Sequence, residues 1–279
     1  MIHGPANRSD RAAVRRMRRL AWLSAWVLLG TTGCAHYDVS DKDDAVVPES
    51  VAKRELGIDY LSSFRTAMAI RELNASLELD PSDPRTHLWL GEAYRRKGQT
   101  ARAEGFLRDA VELSVAQKET ATEHDARLNL SALLSQVGRY EDAIEHCEVL
   151  SRDATFASPW RPLNNCGWAL MKLGRLEEAR THFVEALEFF PRYGPALLNL
   201  GILESGQGHR LAAIRAFEQA IESGRLGGGG LAEANYRLGE IFVALGRRDR
   251  AIRHFRAAVE EAPEADWASQ SQAYLDLLR

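Results

Sequence analysis

The side chains that could carry chemistry in this chain are few, and three of them are cysteines. Cys34 follows a short apolar run near the N-terminus, and Cys147 and Cys166 lie close together in the middle of the chain. The sequence contains no G-x-S-x-G, H-E-x-x-H or G-x-x-x-x-G-K motif, and its eight histidines are scattered. We therefore expect no enzyme active site, no small-molecule substrate and no cofactor, and the chemistry that remains is modification or cross-linking of cysteine.

His146, beside Cys147, raises the question of a metal site shared with Cys166. Adjacent residues are difficult to direct into one tetrahedral site, so we do not expect a metal here.

Residues 1–34 have the composition of an export signal. Four arginines within residues 15–19 precede an apolar run, Leu20 to Leu29, which ends in the small-residue stretch GTTGC. The run is too short for the roughly 20 residues that cross a bilayer. The stretch resembles a bacterial lipoprotein signal, which implies that Cys34 is acylated and becomes the new N-terminus. An ordinary secretory signal with an incidental cysteine is the alternative, and Met17 is a second possible start.

Residue 35 is alanine, and its identity bears on where such a lipoprotein resides. The resemblance to lipoprotein signals implies transfer to the outer membrane, since the aspartate that favours inner-membrane retention is absent from this position. Residues 35–49 are acidic and poor in large apolar side chains, which predicts a solvated tether. Residues 35–279 carry 30 Lys and Arg against 38 Asp and Glu, so we expect no basic cluster and no nucleic-acid partner.

The rest of the chain is built from a repeated helix-turn-helix unit. Residues 160–193, numbered from Trp160 as position 1, have Gly167 at position 8, Gly174 at 15, Phe183 at 24 and Pro191 at 32. Small residues at these offsets allow two helices to approach closely, and the proline ends the second helix. The position-8 residues of the six copies are Gly57, Gly91, Ser131, Gly167, Gly201 and Gly239.

The unit resembles the tetratricopeptide repeat, which implies an all-α solenoid of stacked helix pairs wound as a right-handed superhelix. The six repeats are predicted at residues 50–83, 84–117, 124–157, 160–193, 194–227 and 232–265. Residues 118–123 are expected to lengthen a helix, and Gly227 to Gly230 to form a flexible turn. Residues 266–279 are predicted to be a capping helix, with its apolar residues against the stack: Trp267, Tyr274, Leu277 and Leu278.

The repeat frame places both central cysteines at inward-facing positions of consecutive helices. Cys147 is at position 24 of the third repeat, and Cys166 is at position 7 of the fourth. A disulfide would persist in the oxidising compartment that the export signal implies, and we favour it over two buried thiols.

The resemblance also implies which residues bind a partner. In this repeat family, positions 2, 5, 9 and 12 of each first helix line a concave groove. The apolar residues at those offsets are Leu88, Leu128, Trp168, Met171, Leu198, Ile202, Tyr236 and Val243. We expect Trp168 and Met171 to form a continuous patch with Leu198 and Ile202 that receives an apolar segment. The alternative is that curvature buries some of these residues against neighbouring helices.

The order of signal, acidic tether and six repeats resembles the type IV pilus pilotins, outer-membrane lipoproteins that help a secretin ring to assemble. The resemblance implies a non-enzymatic protein that binds secretin subunits and is attached to the membrane by lipid. The main alternative is a scaffold lipoprotein of another envelope machine, such as polysaccharide export or β-barrel assembly. A regulatory subunit of a cell-wall hydrolase or synthase is a third hypothesis.

Overall fold

Thirteen α-helices make up residues 47–278, the part of the chain that the computed structural model describes, and this part contains no β-strand. The helices are α1 (Glu49–Ser62), α2 (Thr66–Leu79), α3 (Pro84–Arg96), α4 (Thr100–Gln117), α5 (Thr120–Gln136), α6 (Tyr140–Arg152), α7 (Trp160–Lys172), α8 (Leu176–Phe189), α9 (Gly194–Gly206), α10 (Arg210–Glu222), α11 (Gly228–Ala244), α12 (Arg248–Glu261) and α13 (Asp266–Leu277). The first twelve form six pairs, which confirms the predicted all-α solenoid. The export signal, Cys34 and most of the tether lie outside the described residues.

The helices are arranged in two layers. Each even-numbered helix packs between the odd-numbered helices that precede and follow it, and successive odd-numbered helices also contact one another. Even-numbered helices up to α12 do not contact each other within residues 47–278. The odd-numbered helices are therefore closer together, and they form the inner, concave layer of the solenoid.

Each pair is held together by a large side chain that packs on a glycine. A Cβ atom built at Gly167 would lie 2.6 Å from the ring of Phe183, which is a forbidden contact. The same close approach joins Gly57 to Leu73, Gly91 to Leu107, Gly201 to Phe217 and Gly239 to Phe255. The five large side chains are fully buried, so the absent side chain at position 8 creates the space that position 24 fills.

The third repeat meets the same constraint with different residues. Ser131 at position 8 and Cys147 at position 24 are both fully buried. Ser131 Oγ donates to the Leu128 carbonyl oxygen at 2.9 Å, so its hydroxyl is satisfied. The serine is larger than glycine and the cysteine is smaller than phenylalanine, so the serine offsets part of the volume that the cysteine leaves.

The same cysteine joins the third repeat to the fourth. Cys147 on α6 and Cys166 on α7 form a disulfide in the structure, with their Cα atoms 5.7 Å apart and both residues fully buried. The neighbouring His146 is partly buried, and burial, with Arg127 and Arg108 nearby, lowers its pKa to about 4. No group of three possible metal ligands occurs within the described residues.

The turns inside the pairs show why position 15 is almost always glycine. Five of the six turns place a glycine at this position with φ between 67° and 82°, a region that L-residues rarely adopt. The first repeat instead has Phe64, with φ of 58° and 88% of its surface exposed. Phe64 therefore combines backbone strain with an aromatic ring in water.

The C-terminal helix α13 packs against α11 and α12, as a capping helix should. Its apolar contacts come from Trp267, Tyr274, Leu275 and Leu278, which follow the helical spacing of one face. The prediction for Leu277 is wrong, because Leu277 lies off this face and is 83% exposed.

The glycine-rich stretch before α11 also differs from its prediction. Gly228 to Gly230 form the first turn of α11 instead of a flexible turn. A Cβ atom at Gly228 would lie 2.8 Å from the Glu261 carbonyl oxygen, so glycine allows this helix to start against the end of α12. Residues 120–123 lengthen α5, but Lys118 and Glu119 form the turn between α4 and α5, so the prediction for 118–123 holds only in part.

Replacing Phe64 with glycine should stabilise the protein. Glycine adopts the left-handed conformation of this turn without strain, whereas the same conformation costs an ordinary residue about 1–2 kcal/mol. The greater backbone freedom of glycine in the unfolded chain offsets part of this gain in stability. We expect the free energy of unfolding to rise by about 0.5–1 kcal/mol in urea titrations. Gly98→Ala is the matched control, since Gly98 has φ of 72° and open space around it. This variant should have a free energy of unfolding about 1 kcal/mol lower than that of the wild-type protein. A destabilised Phe64→Gly protein would contradict this account of the turn.

The disulfide should be detectable in the purified protein. Unfolded without reductant, the protein should leave Cys147 and Cys166 unalkylated, and digestion should release one cross-linked peptide pair. Reduction should lower the free energy of unfolding by about 3 kcal/mol, the loop-closure estimate for a separation of this size. Free alkylation of both thiols before reduction would show that the bond does not form in cells.

Candidate partner-binding groove

Half of the six residues predicted to bind a partner are buried in the solenoid. Leu128, Leu198 and Tyr236 are exposed by only 4%, 8% and 6%. Leu128 packs with Leu150 and Phe156, while Leu198 and Tyr236 belong to the hydrophobic core of the last two repeats. All three are at position 5, so this position faces the interior of the stack instead of the groove. These residues stabilise the stack, and the prediction that they contact a partner is corrected.

The other three predicted residues remain partly exposed, but they do not form one apolar patch. Met171 packs against the core of the first four repeats, and Ile202 packs against the core of the last two. Trp168 belongs to neither core within the described residues. The predicted continuous patch is therefore wrong, since Leu198 is buried in the core of the last two repeats. Of the two other apolar groove residues, Leu88 is buried and Val243 is exposed.

Trp168 instead lines a depression on the inner layer. The depression has a volume of about 380 Å³ and is formed by α5, α7 and the start of α9. Its lining residues are Ala132, Ser135, Gln136, Asn164, Asn165, Trp168 and Asn199. Four side-chain amides thus surround one indole ring, which makes this site amphipathic.

The amides are held in place by hydrogen bonds between neighbouring helices. Asn199 Nδ2 donates to Asn164 Oδ1 at 2.9 Å, and Asn165 Nδ2 donates to Ser131 Oγ at 3.1 Å. Each side-chain amide has two N–H donors and a carbonyl acceptor, so these bonds leave capacity for a ligand. Ser135 Oγ, also in the lining, is buried and has no hydrogen-bond partner among the described residues. A bound segment that reaches it would satisfy this group.

The charge near the indole is positive. The Lys172 ammonium lies 5.4 Å from the centre of the Trp168 ring, in a cation–π arrangement. Amides can pair with the backbone N–H and C=O groups of an extended polypeptide, and an indole can cover one apolar side chain. The depression is therefore chemically suited to an extended peptide segment that carries an apolar residue.

Sequence reasoning missed Gln136, Asn165 and Asn199 because it considered only positions 2, 5, 9 and 12 as groove positions. A signal was present: position 6 is asparagine in three consecutive repeats, at Asn129, Asn165 and Asn199. Helix faces repeat with the unit, so the same position returns to the same side of the inner layer. Polar residues repeated in register deserve the same weight as apolar ones when a groove is predicted.

Cys34, the predicted lipidation site, lies outside the described residues. Between residues 47 and 278, no helix is both long enough and apolar enough to span a membrane.

The chain is similar to known proteins both in sequence and in fold. Two protein-family models, both described as tetratricopeptide repeat, match this chain. One matches residues 54–118 and 198–266, and the other matches residues 160–193. The type IV pilus assembly protein PilF of Pseudomonas aeruginosa is 24% identical over 135 residues. That match spans 48% of this chain and 50% of the length of PilF.

Two solved structures have a similar fold over most of the described residues. The crystal structure of PilW, described as a widely conserved type IV pilus biogenesis factor, has a TM-score of 0.69 and 18% identity, and covers 80% of this chain and 98% of that one. A structure of Pseudomonas aeruginosa PilF has a TM-score of 0.65 and 19% identity, and covers 81% and 97%. At this level of identity the likeness shows a shared fold.

Tetratricopeptide-repeat proteins are generally non-enzymatic scaffolds that bind protein partners. The matched repeats together span more than half of the chain, and each corresponds to helix pairs with the glycine contacts described above. The chain therefore belongs to the tetratricopeptide-repeat family.

Proposed function

We propose that this protein is an outer-membrane lipoprotein of type IV pilus assembly that binds secretin subunits and promotes their multimerisation. The observation that carries the proposal is the sequence similarity to the pilus assembly protein PilF. The near-complete coverage of the PilW and PilF structures by this solenoid supports it. In this proposal the protein is not an enzyme, and it acts by binding its partner at the outer membrane.

The depression around Trp168 is the proposed contact for the secretin subunit. An unassembled subunit exposes apolar side chains and unpaired backbone groups, which are prone to aggregate. The groove amides can bond such a backbone while Trp168 covers an apolar side chain, so the segment stays extended and separate. Release at the membrane then allows subunits to pair with one another.

The proposed anchor determines where this binding takes place. Cys34 would carry the acyl chains, and the several chains of a bacterial lipoprotein hold a protein firmly on a membrane. The partner-bearing solenoid would then be retained at the inner face of the outer membrane, where a secretin ring is needed.

Replacing Trp168 with alanine should weaken secretin binding at least tenfold, because a central interface tryptophan commonly contributes more than about 2 kcal/mol. Helical content and thermal stability should change little, since Trp168 lies outside both cores. Phe189→Ala is the matched control, as Phe189 is 62% exposed at the far end of α8. Isothermal titration with a purified secretin subunit measures both variants. Equal affinities for Trp168→Ala and the wild-type protein would exclude this depression, and an unfolded variant would assign Trp168 to the core.

Deletion of the gene tests the function in cells. We expect heat-resistant secretin multimers to fall, monomers to accumulate and pilus-dependent motility to be lost. Normal multimers in the deletion strain would reject the pilotin proposal. Loss of polysaccharide export or of β-barrel assembly in that strain would favour the scaffold hypothesis, and a cell-wall defect would favour the third one.

Cys34→Ala should separate anchoring from folding. Without the acylated cysteine, the protein should leave the outer-membrane fraction and be recovered as precursor or soluble protein. The mass of the N-terminal peptide of the wild-type protein should show the acyl chains. Unchanged recovery of Cys34→Ala in the outer membrane would remove the lipoprotein claim.

A further inference from the structure

The turn between α1 and α2 exposes an aromatic residue where the other repeats have glycine. Phe64 has φ of 58° and is 88% exposed, whereas the five other turns of this type place glycine at the same position. Neither the pair contact nor the stacking of repeats uses the Phe64 ring, because it belongs to no core cluster within residues 47–278. One exposed ring is ordinary by itself, but its position at a strained turn, where the five other repeats have glycine, points to a contact outside the chain.

The turn is surrounded by cations from two repeats. Arg65 follows Phe64, and Arg95, Arg96 and Lys97 end α3; all four are exposed. Arg96 Nη1 donates to the Leu61 carbonyl oxygen at 2.7 Å, which holds the end of α3 beside the first turn. We refer to Phe64, Arg65, Arg95, Arg96 and Lys97 as the Phe64 patch.

The patch retains a net positive charge after its internal ion pairs are considered. Glu92 accepts from Arg95 and Arg96 at 2.8 and 2.6 Å, and it is the one carboxylate paired with the patch in the described structure. Residues 60–71 and 93–103 contain no Asp or Glu. The overall acidity of the chain had predicted no basic cluster, but folding brings together two turns that belong to consecutive repeats.

We propose that the Phe64 patch binds an anionic phospholipid surface. The Phe64 ring inserts at the boundary of headgroups and acyl chains, and the four cations lie against lipid phosphates. A protein partner would need a pocket shaped to receive a ring on a convex turn, whereas a lipid surface accepts such a protrusion without a preformed pocket. Each Lys or Arg near an anionic leaflet strengthens binding about fivefold, so a small patch is sufficient for a tethered protein.

The length of the chain before α1 is compatible with this contact, and this step alone depends on the proposed acylation of Cys34. The 14 residues of α1 place its ends about 21 Å apart. The chain from Cys34 to Glu49 is long enough to span about 50 Å at most. The Phe64 turn can therefore reach the surface that holds the acyl chains, at a high effective concentration of lipid.

A fluorescent probe beside the patch tests the proposal on the full chain isolated from cells. Ser63→Cys carries the probe and leaves Phe64 intact, and Glu188→Cys places the same probe at the far end of α8. Vesicles of phosphatidylcholine, with or without about one third phosphatidylglycerol, contain brominated lipid as the quencher. We expect the Ser63 probe to be quenched on the anionic vesicles, and the Glu188 probe to remain unquenched on both.

Variants of the patch make the result specific. Phe64→Gly should reduce the ratio of contacting to free protein about tenfold without loss of fold, because glycine suits this turn. The double substitution Arg65→Gln and Lys97→Gln should reduce that ratio about 25-fold. High salt should also reduce the ratio, because salt screens the attraction between the cations and the anionic lipid. Equal quenching at both probes, no quenching on anionic vesicles, or quenching that survives Phe64→Gly would overturn the proposal. Protection of the Ser63 probe by an acidic envelope protein, with no effect of lipid, would overturn it in favour of a protein contact.

The proposed acylation of Cys34 and the proposed lipid contact of the Phe64 patch are tested by separate measurements. The mass of the N-terminal peptide reports acylation, and quenching at Ser63 reports the lipid contact. Quenching at high vesicle concentration by a chain without acyl groups would retain the patch and reject the anchor.

Discussion

The contact of a large side chain with a glycine on its partner helix is the constraint on which this solenoid depends. At Gly167 and Phe183, as in four other pairs, the two backbones are closer than any side chain at position 8 would allow. This proximity fixes the pair, and the pair fixes which faces remain for the neighbouring repeats. The third repeat keeps the spacing with Ser131 and Cys147, and the thiol that replaces the aromatic ring is also the one that joins α6 to α7.

The same constraint determines what the inner surface can offer to a partner. Successive inner helices are in contact, and the apolar side chains at position 5 are buried in the stack. The exposed groove is then formed by positions that carry amides, with Trp168 as its partly exposed aromatic residue. A site of this kind recognises the backbone of an extended segment and one apolar side chain, so it tolerates variation in the rest of the bound sequence. That tolerance matches the proposed function, in which the protein binds many copies of a subunit before they assemble.

The repeat, the pairing of helices and the turn glycines were predictable from the sequence, because each depends on contacts within a single repeat. The exposure of the groove was not. Whether Leu198 faces solvent depends on how closely α11 lies to α9, and a periodic pattern carries no information on that distance. The cationic surroundings of Phe64 depend in the same way on the neighbouring end of α3, which Arg96 holds in place. Leu277 shows that prediction within a single helix is also limited, since a shift by one residue moves a side chain off the packed face of α13.

The central claim is that the depression around Trp168 holds a secretin subunit in the cell. The most direct measurement is photo-crosslinking from Gln136, an exposed residue on the rim of this depression. A photoreactive residue at that position, activated in living cells, should form one adduct whose peptides map to the secretin, and the same residue in place of Phe189 should not. An adduct of the Gln136 position with a different envelope protein, or no difference between the two positions, would contradict the account.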